Sequence, residues 1–254
     1  MKNINLFANW KMYLDYDESN ILANALINEV KKMPANINVA LFPSALALYS
    51  VALNLKETKI GIGAQNAYWV DKGGYTGEIS MRMFKEAGCR YMLVGHSERR
   101  HVFKETNHDV RQKLEAAFAD NLTPVVCVGE TQEERRANKT EEVVEVQLRA
   151  AFEGLAAANE AEFLIAYEPV WAIGTGDACD PTEAARIHKV IEKIVKSLLS
   201  GANFQILYGG SVRADNVADY LACECVDGVL IGNASAKLES FHEIMAKTAE
   251  FSGK

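Results

Sequence analysis

The chain predicts an α/β protein closed into a (β/α)8 barrel, and three observations carry that expectation. Eight short apolar runs, rich in β-branched and aromatic residues, follow one another along 254 residues. Stretches with helical spacing separate them, and strands alternating with helices imply a parallel sheet. Eight such units within roughly 250 residues match one closed barrel, whereas an open doubly wound sheet usually has fewer strands.

The expected strands are residues 4–9, 38–42, 59–64, 91–95, 124–129, 162–167, 204–208 and 227–231. Apolar residues run on within each instead of alternating with polar ones, the mark of strands buried on both faces. The clearest helical spacings fall at 19–32, 140–155 and 181–199. In the first, Leu22, Ala25, Leu26 and Val30 recur at intervals of three and four; in the last, Ile187, Ile191, Ile194 and Leu198 share one face. Asp180-Pro181-Thr182-Glu183 is a helix-start signal for that last helix. No Gly/Ser/Pro-rich linker or charge block divides the chain, so a single domain spanning 1–254 is expected.

With 49% hydrophobic and 24% charged residues the composition is globular, which excludes disordered and membrane-spanning classes. No apolar run approaches the roughly 20 residues of a membrane span. The N-terminal apolar stretch is too short for a signal peptide, so a cytoplasmic location is expected. Cys89, Cys127, Cys179, Cys223 and Cys225 form no C-x-x-C pair and have no histidine at ligand spacing, so reduced thiols and no metal site are expected. A net charge of −7 argues against nucleic acid. It also means that an anionic substrate must find a locally positive site.

In barrels of this kind the functional groups sit at the C-terminal ends of the strands. Those ends carry Asn9-Trp10-Lys11, Gln65-Asn66, His96-Ser97-Glu98-Arg99, Cys127, Glu168, Tyr208-Gly209-Gly210-Ser211 and Gly232-Asn233. Glu168 follows a buried strand; an unpaired carboxylate there has a raised pKa, which suits a general base, although a solvated loop glutamate fits the position equally. The segment after it, Pro169-Val170-Trp171-Ala172-Ile173-Gly174-Thr175-Gly176, pairs a stiff start with a glycine-bearing end and reads as a lid, or else as a static packed loop. His96 opens a short helix whose N-terminus disfavours imidazolium, so its ring would donate a hydrogen bond while neutral; a structural histidine is the alternative. Lys11 supplies a cation at the mouth, and Asn9 can donate to an oxyanion. The glycine-bearing turns at 208–211 and 232–233 lie where such barrels bind phosphate. Neither a nucleotide phosphate loop nor a dinucleotide fingerprint is present. From the residues alone the expectation is a small phosphorylated substrate handled by acid–base chemistry.

Asn9-Trp10-Lys11, Gly95-His96-Ser97-Glu98-Arg99-Arg100, the run from Tyr167 to Gly176 and Tyr208-Gly209-Gly210-Ser211-Val212 together resemble the triosephosphate isomerase family. Gln65-Asn66, Tyr75-Thr76-Gly77-Glu78 and Cys127-Val128-Gly129-Glu130 agree with that resemblance, which extends over essentially the whole chain. It implies a TIM barrel that interconverts dihydroxyacetone phosphate and D-glyceraldehyde 3-phosphate without a cofactor, in glycolysis and gluconeogenesis. It implies Glu168 as the base, His96 as the neutral group that polarises the carbonyl, and Asn9 and Lys11 as stabilisers of negative charge. Glu98 would position Lys11; Gly174, Ser211, Gly232 and Asn233 would hold the phosphate; and residues 169–176 would close over it. A glutamate base, a neutral histidine and a closing loop are the family's standard example and no deduction from this sequence. A homodimer is implied too, with Thr76 reaching the neighbouring subunit and Met12 at the contact.

Three positions depart from the family pattern. Asn233 stands where glycine is usual, Asp177 where many members carry lysine, and Ala8 where glycine is common. A Schiff-base aldolase would need a buried lysine where the strand-six end has Glu168. A metal-dependent barrel would need clustered ligands. A catalytically inactive barrel acting as a binding or assembly protein is the remaining alternative; it is disfavoured by Asn9, Lys11, His96 and Glu168 occurring together.

Overall fold

A computed structural model describes residues 2–174 and 176–253, so Thr175, expected in the lid, lies outside the described residues. Eight parallel strands pair in sequence order and close, β1 (Ile4–Asn9) against β8 (Gly228–Ile231). Between them run β2 (Ile37–Phe42), β3 (Gly61–Ala64), β4 (Tyr91–Val94), β5 (Thr123–Val128), β6 (Glu162–Tyr167) and β7 (Asn203–Tyr208). The helices are α1 (Tyr16–Lys31), α2 (Ala45–Leu55), α3 (Met81–Glu86), α4 (Ser97–His101), α5 (Asn107–Ala119), α6 (Gln132–Arg136), α7 (Thr140–Phe152), α8 (Pro181–Leu198), α9 (Val217–Leu221) and α10 (Leu238–Ser252). The expected (β/α)8 architecture is the observed one.

Strand alternation divides the apolar side chains between two layers. Phe7, Phe42, Tyr91, Leu93, Val125, Leu164, Leu207 and Leu230 fill the barrel. Their neighbours Leu6, Leu41, Met92, Val94, Val126, Ile165 and Tyr167 face the helices. Both layers are apolar, which is why the strands read as continuous hydrophobic runs. In the outer layer Phe163 is fully buried, its ring 4.8 Å from Phe152, 5.7 Å from Phe204 and 6.3 Å from Phe118. It therefore joins β6 to the helices on either side of β5.

Element boundaries differ from the sequence expectation where polar groups intervene. α1 begins at Tyr16, because the Asp15 side chain accepts from Glu18 N–H while the Glu18 side chain accepts from Asp15 N–H. β3 starts at Gly61, since Thr58 Oγ1 takes the Ile60 N–H. β8 starts at Gly228, and the Asp227 carboxylate instead accepts from Ile206 N–H of β7 at 2.9 Å. α7 stops at Phe152, short of 155, as Glu153 turns extended and Gly154 takes φ 69°. α8 begins as its start signal requires, with Pro181 in the first turn and Asp180 accepting from Thr182 N–H at 2.8 Å.

Replacing Phe163 by Ala removes a ring packed on three sides and should cost about 3–5 kcal/mol of stability. Urea unfolding followed by circular dichroism measures this; a loss below about 1 kcal/mol would show that the cavity collapses and the cluster is not an anchor.

Candidate active site

The C-terminal strand ends converge on one open cleft of ≈ 490 Å³. Asn9, Lys11, His96, Glu168, Gly174, Ser211, Gly232 and Asn233 all line it. Glu98 stands behind Lys11 and lines an adjoining cleft of ≈ 310 Å³ together with Met12 and Gln65. Thr76 lies outside both, in the exposed loop between β3 and α3.

Glu168 leaves β6 with its side chain almost fully buried. The barrel makes room for it through Gly209, where an added Cβ would come within 2.9 Å of Glu168 Cγ. Two donors hold the carboxylate: Ser97 N–H to Oε2 at 2.8 Å and His96 Nε2 to Oε1 at 3.0 Å. Burial, the strongest single influence, pushes the carboxyl pKa up; His96, the Ser97 N–H and Lys11 together outweigh it and hold the group below its ordinary value. The raised pKa of an unpaired strand-end carboxylate therefore does not apply, because this one is paired.

His96 caps α4, and its Nδ1 accepts from Glu98 N–H at 3.3 Å. An acceptor nitrogen carries no proton, so the ring proton sits on Nε2 and points to Glu168. Glu98 Oε2 lies 3.7 Å from the same Nδ1, but the amide donor already occupies that lone pair. The main chain of its own helix thus favours the tautomer with the proton on Nε2.

Lys11 adopts φ 50°, a conformation that costs a residue other than glycine about 1–3 kcal/mol. Three contacts enforce it. Asn9 Oδ1 accepts Lys11 N–H at 3.1 Å, Gln65 Nε2 donates to Lys11 O at 2.8 Å, and Lys11 Nζ meets Glu98 Oε1 at 2.7 Å. Gln65 Nε2 also donates to Phe42 O at 2.9 Å, so it ties loop one to the end of β2. With Oδ1 engaged, Asn9 has its Nδ2 donor to offer an oxyanion.

The segment expected to act as a lid starts with a single 3-10 turn, Val170–Ala172. Trp171 Nε1 donates to Glu130 Oε1 at 2.8 Å, and Tyr167 OH reaches Glu130 Oε2 at 3.1 Å. Glu130 is wholly buried, and burial pushes its pKa up against the pull of those donors. Ser211 Oγ donates to Ala172 O at 2.6 Å, so this hydroxyl is turned to that segment. Beyond Gly176, Cys179 N–H donates to Tyr208 OH at 3.2 Å and Cys179 O accepts from Tyr220 OH at 2.5 Å. Sequence reasoning assigned no role to Gln65 or Glu130. Their signal was position alone, each standing within two residues of a strand end.

The histidines given no role lie apart from the cleft in α4, α5, α8 and α10. Buried His188 has its pKa driven down to about 4 by burial, with Nδ1 3.1 Å from Cys225 O. The five cysteines are free thiols. Among the described residues no group of three His, Cys, Asp or Glu could hold a metal ion, and no helix is long and apolar enough to cross a membrane.

A model of the triosephosphate isomerase family matches residues 4–248. The chain belongs to the triosephosphate isomerase family. It is 40% identical to the triosephosphate isomerase of Rhodopirellula baltica, over 96% of this chain and 97% of that protein. It is 42% identical to the one from Dictyoglomus thermophilum, over 94% and 96%. With the one from a Picosynechococcus species it shares 41% identity, over 96% and 99%. Family membership therefore spans the barrel from its first strand to its last helix.

Glu168 is held ionised by native contacts, so its carboxyl should titrate below the ordinary glutamate value of about 4.3 in the free protein. The stabilisation it brings is present above that value and is lost as pH falls through the lower, folded one. Carboxyl-labelled NMR titration tests this; a Glu168 midpoint at or above the ordinary value would contradict the pairing described.

Proposed function

We propose that this chain interconverts dihydroxyacetone phosphate and D-glyceraldehyde 3-phosphate, moving one proton through an enediolate without a cofactor. The observation that carries the reading is the meeting of Glu168 and His96, 3.0 Å apart, on the floor of the cleft that Lys11 and Asn9 also line. Family membership over nearly the whole chain supports it.

Glu168 takes the proton from C1 of the ketose, and the electron pair moves onto the carbonyl oxygen. His96 Nε2–H, Asn9 Nδ2 and Lys11 Nζ surround that oxygen as it becomes anionic. The neutral ring exchanges protons between the two enediolate oxygens, and Glu168 returns its proton to C2. In the free protein Glu168 is a weak base, because Ser97 and His96 stabilise its ionised form. A substrate that takes the His96 donor, beneath a lid that excludes water, leaves burial as the dominant influence and raises the basicity of the carboxylate. Residues 169–176 serve as that lid, with Thr175 assigned from sequence alone. Glu98 positions Lys11, while Gly174, Ser211, Gly232 and Asn233 hold the phosphate largely through main-chain N–H groups.

The protein works as a single-domain subunit of a homodimer in the cytoplasm, within glycolysis and gluconeogenesis. Support for pairing comes from the surface beside loop one. Met12 is 94% exposed there, and Leu46, Tyr49, Tyr75, Val102 and Phe103 are exposed apolar groups on the same chain. Thr76 of one subunit would enter the ≈ 310 Å³ cleft of the other, next to Met12 and Glu98. Such a contact would brace Lys11 from outside.

Isomerisation of glyceraldehyde 3-phosphate, coupled to reduction of the ketose, tests the reaction. Glu168→Gln should fold normally and lose about 10²–10⁴-fold in turnover; near-native turnover would remove Glu168 from the role. Thr76→Asp should weaken the dimer and raise the monomer fraction in sedimentation velocity at low concentration; an unchanged mass would count against that interface.

A further inference from the structure

A further group stands at the base of the lid. Arg135, in α6, lays its guanidinium over the Trp171 ring, 3.8 Å from the centroid. The same side chain is only 35% exposed, and its Nη1 is buried without a hydrogen-bond partner. That nitrogen lies 4.0 Å from Glu130 Oε1, the oxygen that accepts the Trp171 indole N–H at 2.8 Å. It is too far to donate while Trp171 occupies the oxygen, and near enough to take over when Trp171 withdraws.

Cys179 lies at the other end of this segment, and Arg135 carries a positive charge in its surroundings. Burial pushes the Cys179 thiol up to about 12, and the positive charge of Arg135 opposes that push. Cys179 is the fully buried residue whose N–H and C=O are fixed by Tyr208 and Tyr220.

We propose that Arg135 is a positioning residue for the lid: it stacks on Trp171, and it takes over the Glu130 oxygen whenever Trp171 moves away. Without Trp171 the Glu130 Oε1 would keep only the long 3.3 Å contact of a Tyr167 hydroxyl that lies closer to Oε2, and a poorly satisfied buried acceptor is costly. Partner exchange keeps Glu130 satisfied in both lid positions, so the lid can move without a large barrier and still return to one place. The inference rests on the isomerase reading for its kinetic arm alone.

The test uses the full chain carrying 5-fluorotryptophan. Its three tryptophans, Trp10, Trp69 and Trp171, give three fluorine signals, assigned with Trp171→Phe. Arg135→Met should move and broaden the Trp171 signal while the Trp10 and Trp69 signals stay in place. In the assay, KM should rise by roughly 2- to 30-fold, the range of one cation–π contact. Arg135→Lys, which keeps the charge but lacks the planar face, should fall between. A native Trp171 signal in folded Arg135→Met overturns the proposal. Should that variant not fold, Arg135→Lys decides: a displaced Trp171 signal supports the role and a native one overturns it. An inactive native chain with a displaced Trp171 signal in the variants would sink the isomerase reading and leave the role of Arg135 standing.

Discussion

A carboxylate cannot be left alone inside a protein, and the cleft is organised around that constraint. Taking Glu168 out of water costs several kcal/mol unless donors replace its hydration. The donors come from the turn after β4, through Ser97 N–H and His96, although β5 lies between that strand and β6. Only a sheet curved into a barrel brings the ends of two non-adjacent strands face to face across its mouth. Closure thus does more than bury apolar surface: it supplies the partners without which Glu168 could not be ionised there.

Further groups are fixed outward from that pair. Glu98 uses its N–H to set the His96 tautomer and its carboxylate to hold Lys11. Lys11 is kept in left-handed backbone by Asn9 and by Gln65, which is anchored on β2. Some of these groups are held by a neighbour on the same turn, as His96 is by Glu98 and Lys11 by Asn9, and others from a different strand end, as Lys11 is by Gln65 and Glu98. Strain at Lys11 persists because these contacts over-determine it.

Two buried carboxylates on successive strand ends show how neighbours set chemistry. Glu130, after β5, meets an indole N–H, a phenol and a guanidinium 4.0 Å away, and burial still raises its pKa. Glu168, after β6, meets His96, a main-chain N–H and the Lys11 ammonium, and its pKa falls. Glu130 accordingly serves as an anchor for Trp171. Glu168 is held beside open space in the cleft, where a ligand can reach it.

The sequence alone determined the eight strands, their order and the types of residue at their ends, because period and apolar content are local properties written in neighbouring residues. It also located Asn9, Lys11, His96 and Glu168, since a strand end is where a barrel exposes function. It could not place Gln65 under Lys11, Glu130 under Trp171 or Arg135 over Trp171, for those pairs are separated by dozens of residues and no local pattern links them. Nor could it decide the charge state favoured by Glu168. That depended on whether donors from another strand end reached the carboxylate, and only the closed tertiary structure, by bringing the residues that follow β4 and β6 within hydrogen-bonding distance, decided it.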